Sequence, residues 1–298
     1  MRPFAQALRL LPVMLFLPLV TAMAQATKAE GWFLGYRTNA LILMLFFTAA
    51  VLVYTYMARK GMTLFVRKIA GIEAVEDAVG RATEMGKPIL FVPGIDEIDK
   101  IDTIAGLSIL GRVAKVVAQY DTPLYVPVRY PMVLAAASEV VQQSYISEGR
   151  AESYNQDIVR YVAGEQFAFT ATVNGYMMRE RPATNIFMGA FYAESLLLAE
   201  TGNAAGAIQI AGTAQPEQLP FFVAACDYTL MGEELFAASS YLSREPVMLG
   251  GLKGQDLVKV VIIVFILLGG LFATTGMNFD LFGINFSPEA FSAWFRIR

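Results

Sequence analysis

Two hydrophobic runs with almost no charge lie near the ends of the chain, and a segment of mixed pattern separates them. Residues 39–57 contain no charged side chain, and residues 257–275 contain only Lys259. A helix needs about 20 predominantly apolar residues to cross the hydrocarbon core of a membrane. The pattern therefore predicts two transmembrane helices, at 39–57 and 257–275, on either side of a domain at 62–253.

Basic residues beside these runs predict how the chain is oriented. Four of them lie at or between positions 59 and 68, while Lys253 lies just before the second run and Lys259 near its start. Lysine and arginine are enriched in the cytoplasmic segments that adjoin transmembrane helices. We therefore predict that the domain at 62–253 is cytoplasmic. The aromatic-rich tail at 276–298 is then extracytoplasmic, where it could lie in the outer membrane interface.

The first 26 residues have the pattern of a secretory signal. Arg2 and Arg9 precede a short apolar run at 10–20, and small residues follow around Ala24. This order is typical of a signal peptide that is cleaved after residue 24 or 26. An uncleaved helix is the alternative, and both give the first transmembrane helix the same orientation. The predicted location is the cytoplasmic membrane of a prokaryote.

Between the two runs, helical periodicity alternates with strand-like segments. The predicted helices are 71–85, 103–119, 130–147, 186–199, a helix that begins at Pro216, and 233–242. The predicted strands are 88–92, 124–128, 166–177 and 207–211. This alternation predicts an α/β fold with a mostly parallel sheet flanked by helices, which is Rossmann-like. The glycine-rich segment 250–254 is predicted to be a flexible hinge.

The composition narrows the possible chemistry. The chain has no histidine, one cysteine (Cys226) and a net charge of -3. Histidine-dependent catalysis, histidine or thiolate metal sites and intrachain disulfides are therefore excluded. Cys226 lies in an apolar run and is interpreted as a small buried hydrophobic residue. The charge predicts no nucleic-acid partner, and since no Walker or dinucleotide fingerprint is present we expect no cofactor.

The loop after the first predicted strand is the strongest candidate for a site. It contains Gly94, then carboxylates at Asp96, Glu97, Asp99 and Asp102. Ligands of open α/β sheets bind beyond the carboxyl ends of the strands, and carboxylate oxygens could hold Mg²⁺ or Ca²⁺. Isoleucine recurs at every third position of the same loop. The alternative is therefore a short helical turn with a solvated acidic face.

Two further groups are weaker candidates. Gly212 and Thr213 begin a strand-to-helix turn whose backbone N–H groups could hold an anion. Arg179 and Arg181 follow the strand predicted at 166–177, and paired arginines could bind a phosphate or carboxylate. The alternatives for the arginines are a solvated turn or pairing with acids such as Glu194 or Asp227.

Two stretches of the chain, 94–115 and 212–246, carry a resemblance to a known family. Together with the flanking hydrophobic runs, they resemble an uncharacterised family of prokaryotic membrane proteins known only as a domain of unknown function. The resemblance covers most of the chain. It implies no activity, cofactor or site residue.

Three hypotheses for the function remain. The first is a membrane-anchored scaffold that self-associates, because only 16% of the residues are charged and apolar small-residue stretches recur at 134–137 and 204–207. The second is a sensor or regulator that binds a small ligand or ion at the carboxyl edge of its sheet. The third, an enzyme, has the least support, because no catalytic motif is present. The expected partners are membrane lipid, a second copy of the chain and an unidentified small ligand.

Overall fold

The computed structural model describes residues 38–62, 70–243, 246–275, 279–281 and 284–286. The predicted signal peptide and most of the predicted tail lie outside these residues. In chain order the elements are α1 Thr38–Arg59, α2 Ala70–Met85, β1 Ile89–Val92, α3 Ile101–Tyr120, β2 Leu124–Val128, α4 Pro131–Ser147, β3 Val159–Tyr161, α5 Gln166–Glu180, β4 Thr184–Met188, α6 Glu194–Ala205, β5 Ile208–Thr213, α7 Leu219–Ala225, β6 Tyr228–Met231, α8 Glu233–Ser243, α9 Pro246–Thr275, β7 Phe279–Leu281 and β8 Ile284–Phe286. They form two compact units, an α/β unit within residues 65–245 and a second unit that contains α1 and α9.

The sheet of the α/β unit has six strands in the order β3-β2-β1-β4-β5-β6. Every neighbouring pair is parallel, and β1 lies at the centre with Leu90 opposite Tyr125 of β2 and Asn185 of β4. This is the strand order of a doubly wound, Rossmann-like sheet. The predicted fold class is therefore confirmed. The chain winds outward in both directions from the switch point between β1 and β4.

Helices cover both faces of the sheet, so its central strands are buried on both sides. All four residues of β1 are fully buried. Ile89 and Phe91 belong to the core beneath α2, α3, α4 and α8, while Leu90 and Val92 belong to the core beneath α5, α6 and α7. Successive side chains of a strand point to opposite faces. This explains why the central strands read as unbroken apolar runs in the sequence.

Two predictions of secondary structure are wrong. Residues 166–177 lie in the helix α5, although a strand was expected there. The buried residues of α5 are Phe169, Thr170, Val173 and Met177, and they recur at the three- and four-residue spacing of one helix face. The Glu165 side chain also accepts a hydrogen bond of 2.6 Å from the Ala168 N–H and so caps the helix. The alternating aromatic and β-branched residues concealed this pattern.

The helix predicted at 186–199 is the second error. Residues 184–188 form strand β4, and helix α6 begins only at Glu194. Strands β3 and β6 were not predicted, because these short edge strands are largely exposed and do not form the unbroken apolar run that identifies β1. The helix expected from Pro216 begins at Leu219. The other predicted helices and strands of the α/β unit are confirmed to within a few residues.

In the second unit, α1 and α9 pack against each other through two glycines of α9. A Cβ atom on Gly254 would lie 2.8 Å from the Cα of Val51, and one on Gly250 would overlap the backbone of Thr55. The pairing runs in opposite directions along the two helices, so they are antiparallel. Gly250 and Gly254 have the four-residue spacing of close helix contacts in membranes. The hinge predicted at 250–254 is therefore wrong, because this segment is inside α9.

By length and composition, two helices in the described part of the chain could cross a membrane: Asn39–Arg59 and Pro246–Leu271. Only 17% and 6% of the residues in their apolar windows are buried, whereas the core helix of a soluble protein is mostly buried. This exposure suggests association with a membrane. The predicted spans 39–57 and 257–275 lie within α1 and α9, although the membrane-compatible part of α9 ends at Leu271, and residues 246–253 of the predicted domain belong to α9. Strands β7 and β8 form an antiparallel pair after α9.

Candidate functional site

The loops at the carboxyl ends of the parallel strands form the candidate site. We call them the carboxyl-edge loops, and they are residues 93–100 after β1, 129–130 after β2, 162–165 after β3, 189–193 after β4 and 214–218 after β5. Ligands of doubly wound sheets bind at this edge, outside the switch point. The positions of the side chains in these loops therefore decide what the site can bind.

Two glycines bring the loops after β1 and β4 into direct backbone contact at the switch point. Gly94 and Gly189 have positive φ angles of 78° and 143°. A Cβ atom on Gly94 would lie 2.8 Å from the backbone N and O of Ala190. The Ile95 N–H also donates a hydrogen bond of 2.9 Å to the Ala190 carbonyl. The backbone therefore occupies the place where a doubly wound sheet commonly opens a crevice.

Tyr192 links the same two loops above this contact. Its hydroxyl donates a hydrogen bond of 2.7 Å to Asp96 Oδ2. This hydrogen bond, together with burial and the nearby carboxylates of Asp96, Glu194 and Asp102, raises the pKa of Tyr192 to about 12. The residue is still 41% exposed. Tyr192 is therefore a neutral hydrogen-bond donor that presents an aromatic face to solvent.

Glu194, at the start of α6, is a buried carboxylate that joins three elements. Its Oε1 accepts a hydrogen bond of 2.8 Å from the Tyr192 N–H, and its Oε2 accepts one from Gln166 Nε2. Gln166 begins α5, so the carboxylate connects α5, α6 and the loop after β4. Both oxygens have donors, as a buried carboxylate requires. Glu194 therefore fixes the start of α5 and the loop after β4 relative to α6.

Asp102 lies in the first turn of α3 and faces the loop after β5. Gln215 Nε2 donates a hydrogen bond of 3.4 Å to Asp102 Oδ2. Burial raises the pKa of Asp102, the hydrogen bond from Gln215 opposes this shift, and the charge of Asp96 adds to it. The carboxyl is therefore easier to protonate than a solvated one.

Arg129, which follows β2, connects the loop after β1 with the loop after β3 through hydrogen bonds. Its Nη1 donates a hydrogen bond of 3.2 Å to the Ile95 carbonyl, and its Nε donates one of 2.9 Å to the Gly164 carbonyl. The guanidinium also lies 5.0 Å from the centre of the Tyr130 ring. Because these contacts use the guanidinium within the fold, Arg129 serves to position the loops.

The acidic residues predicted after β1 are at the expected edge, where Asp96 and Asp102 interact electrostatically, but the four do not form one cluster. Tyr192 binds Asp96 and Gln215 binds Asp102, whereas Glu97 and Asp99 are exposed to solvent. Asp99 lies 3.7 Å from the Nζ of Lys100. Among the described residues, no group of three or more acidic or cysteine side chains could hold a metal ion. The arrangement resembles the solvated acidic face that was the alternative reading of this loop.

Gly212 and Thr213 lie at the same edge as Gly94, as expected, but they are the last residues of β5. The Gly212 carbonyl accepts a hydrogen bond of 2.9 Å from the Gly189 N–H, and a Cβ atom on Gly212 would lie 2.6 Å from Met188 Sδ. Thr213 Oγ1 accepts a hydrogen bond of 3.2 Å from the Gln215 N–H. In this structure both residues make contacts within the fold.

Arg179 and Arg181 lie at the opposite edge of the sheet. They end α5, which leads into the amino end of β4, and Arg181 has a φ angle of 45° where the helix stops. The structure therefore does not bring them together with Gly94, Asp96 or Gly212. The wrong strand prediction for 166–177 had placed them at the carboxyl edge.

Sequence reasoning missed Tyr192, Glu194, Gln166 and Arg129. The apolar run at 184–188, closed by Gly189, resembles β1 closed by Pro93 and Gly94. Assigning that run to a strand would have placed Tyr192 and Glu194 in a carboxyl-edge loop.

The fold and its edge define a class of protein: a doubly wound α/β unit with a closed switch point, in the same chain as two apolar helices that could cross a membrane. Within this class, the chain belongs to the family described as a domain of unknown function, DUF6754, whose model matches residues 28–282. No curated protein and no solved structure matches the chain. The resemblance to a family of unknown function is thereby confirmed.

Proposed function

We propose that this protein is a scaffold anchored in the cytoplasmic membrane of a prokaryote, and that its cytoplasmic α/β unit self-associates. The open side of β6 supports this proposal most directly. Strand β6 is the last strand of the sheet and pairs only with β5 among the described residues. Its Tyr228 and Met231 side chains are 45% and 51% exposed.

An edge strand of this kind is a ready template for pairing with another chain. Soluble proteins usually protect such edges with charges, proline or a bulge. The β6 sequence, Tyr-Thr-Leu-Met, carries no charge and no proline. The neighbouring helix α7 exposes Phe221 and Val223 beside it. The Met231 N–H already donates a hydrogen bond of 3.1 Å to the Glu234 carboxylate, so a partner strand would pair along residues 228–230, with apolar contacts beside it.

The opposite edge strand, β3, carries a charged residue within the strand itself, which β6 does not. It has only three residues, and Arg160 at its centre is exposed and lies 3.1 Å from Asp157. Its Tyr161 is 49% exposed, close to the exposure of Tyr228. The two edges differ in charge and length more than in aromatic exposure. This contrast favours β6 as the surface of self-association.

The pair of apolar helices supports the anchoring. Because α1 and α9 are antiparallel, the end of α1 and the start of α9, which lead to the α/β unit, lie at the same end of the pair. Confinement of two copies to one membrane raises their effective concentration. An edge of modest intrinsic affinity is then sufficient for assembly. Identical surfaces most commonly meet about a two-fold axis.

The test compares lysine substitutions at the two edges. We expect Tyr228→Lys to weaken self-association at least tenfold, because it places a charge on the pairing edge. Tyr161→Lys is the matched control and should leave the mass unchanged. Multi-angle light scattering of the detergent-solubilised full chain over a range of concentrations measures the effect. A wild-type protein that remains a monomer throughout would contradict the proposal.

A small-ligand module is the second candidate, and one buried group favours it. The Oγ1 of Thr103 is buried and has no hydrogen-bond partner within the described part of the chain. It lies in the first turn of α3, next to Asp102. Thermal-shift measurements with nucleotides and divalent ions test this candidate. A shift that Asp96→Ala with Asp99→Ala leaves unchanged would remove the acidic loop from it.

A further inference from the structure

The carboxyl edge exposes a rim of large apolar side chains at the starts of the helices. We call these residues the carboxyl-edge rim: Ile101 and Ile104 of α3, Met132 of α4, Phe167 of α5 and Tyr192 before α6. Their exposed fractions run from 41% for Tyr192 to 70% for Ile101. An apolar set of this size on one edge is typical of an interaction surface.

Hydrogen bonds hold the loops beneath the rim in one arrangement. Arg129 bonds to the carbonyls of Ile95 and Gly164, and Tyr192 bonds to Asp96. The backbone contact between the loops after β1 and β4 fills the switch point beneath them. The rim therefore forms a preorganised outer surface, which suits a macromolecular partner better than a small molecule enclosed in a crevice.

The charges between the apolar residues are mostly negative. Asp96, Glu97, Asp99, Glu165 and Glu217 lie in the carboxyl-edge loops. The backbone N–H groups of Phe167 and Ala168 lower the pKa of Glu165, so this carboxylate is ionised at neutral pH. The cations of the same loops are Lys100, which is beside Asp99, and Arg129, which binds backbone carbonyls. The rim is therefore apolar and acidic.

Charge complementarity selects the kind of partner. Anionic lipid and nucleic acid are repelled by an acidic surface. A second copy that presented the same rim would bring like charges together, which opposes binding. A helical segment with an apolar face, flanked by lysine or arginine, would match both the apolar side chains and the negative charge of this surface. We propose that the carboxyl-edge rim is the docking site for a cationic amphipathic helix of a partner protein.

The test uses a defined probe and the full chain in nanodiscs of zwitterionic lipid. The probe is a fluorescent helical peptide of leucine and lysine, ~18 residues long and therefore about five turns. Its counterpart carries glutamate in place of lysine. Fluorescence anisotropy measures binding, with empty nanodiscs as the baseline. We expect the lysine peptide to bind more tightly than the glutamate peptide, and added salt to weaken its binding.

Two pairs of variants locate the contact. Glu97→Lys with Asp99→Lys should weaken binding of the lysine peptide by roughly tenfold. Glu180→Lys with Glu200→Lys makes the same change of charge at exposed positions away from the rim and should have little effect. Likewise Ile101→Ser should weaken binding, while Met178→Ser, which changes an exposed side chain of α5, should not.

Several outcomes would overturn the docking site. These are failure of the wild-type chain to bind the lysine peptide, equal binding of both peptides, and equal losses in the rim and control variants. Circular dichroism checks that every variant is folded. Tyr228→Lys should retain peptide binding, because β6 is not part of the rim. This variant separates a failure of the docking site from a failure of self-association.

Discussion

At the scale of single residues, the positive φ angle of Gly94 and its contact with Ala190 decide how the switch point is closed. A side chain at Gly94 would be strained by the left-handed backbone and would also meet the Ala190 backbone. Gly149 has a similar φ angle of 71°, but nothing lies within 4 Å of where its Cβ would be. The two glycines therefore separate the cost of backbone strain from the cost of the loop contact.

We expect Gly94→Ala to destabilise the protein more than Gly149→Ala does. Gly149→Ala should cost about 1 kcal/mol from the left-handed backbone alone. Gly94→Ala should cost ~1–3 kcal/mol more, because the loop after β4 must move. Thermal unfolding of the full chain in detergent, followed by circular dichroism, gives the order of the two midpoints. Equal midpoints would mean that the loops can separate without cost.

Single residues also show why only part of the candidate site could be predicted from the sequence. Asp96 and Asp102 were placed at the correct edge because they follow β1, whose unbroken apolar run is easy to identify. Tyr192 was missed because the strand before it was assigned to a helix. Neither the hydrogen bond from Tyr192 to Asp96 nor the contacts of Arg129 has a local sequence signature, since each joins residues from different loops.

At the scale of elements, the predictions succeeded where burial was uniform and failed where local pattern and packing disagreed. Strands β1 and β2 were identified because burial on both faces requires apolar residues throughout. In α5, alternating aromatic and β-branched residues favoured a strand, but packing against α6 made it a helix. The glycines of α9 indicated a hinge, because sequence does not show that another helix lies against them.

The contact between α1 and α9 leads to a further prediction. Gly254→Ala should disrupt the pair, because its Cβ would lie 2.8 Å from the Cα of Val51. Gly270→Ala is the matched control in the same helix, with nothing within 4 Å of its Cβ. By continuing the antiparallel pairing one four-residue step beyond Val51 and Gly254, we expect Phe47 to lie near Val258. Cysteines at these two positions, with Cys226→Ser, should form a disulfide in the control background.

Maleimide labelling and mass spectrometry count the free thiols that remain after oxidation. We expect Gly254→Ala to slow disulfide formation several-fold, because close approach of the helix backbones depends on the small residue. Gly270→Ala should leave the rate unchanged. A disulfide that forms equally fast in both variants would contradict the role of Gly254 in the helix pair.

At the scale of the whole molecule, the sequence predicted the fold class and the two apolar helices, which the structure contains. The fold class and the apolar helices are recognised from the composition of long stretches of sequence. An error in assigning one element, such as α5, therefore did not alter either prediction. The side of the membrane on which the α/β unit lies depends on a different property, the distribution of basic residues. Arg59 and Lys60 at the end of α1 and Lys253 near the start of α9 lie at one end of the antiparallel pair.

Because positive residues are retained on the cytoplasmic side, this end of the pair should face the cytoplasm. We therefore expect a cysteine at Glu139, an exposed position of α4, to react with a membrane-impermeant maleimide only after intact bacterial spheroplasts are permeabilised. A cysteine at Ser287, in the predicted extracytoplasmic tail, should react without permeabilisation. Both variants carry Cys226→Ser, so the introduced thiol is the one measured. The opposite pattern would place the α/β unit outside the cell, and the cytoplasmic scaffold would have to be abandoned.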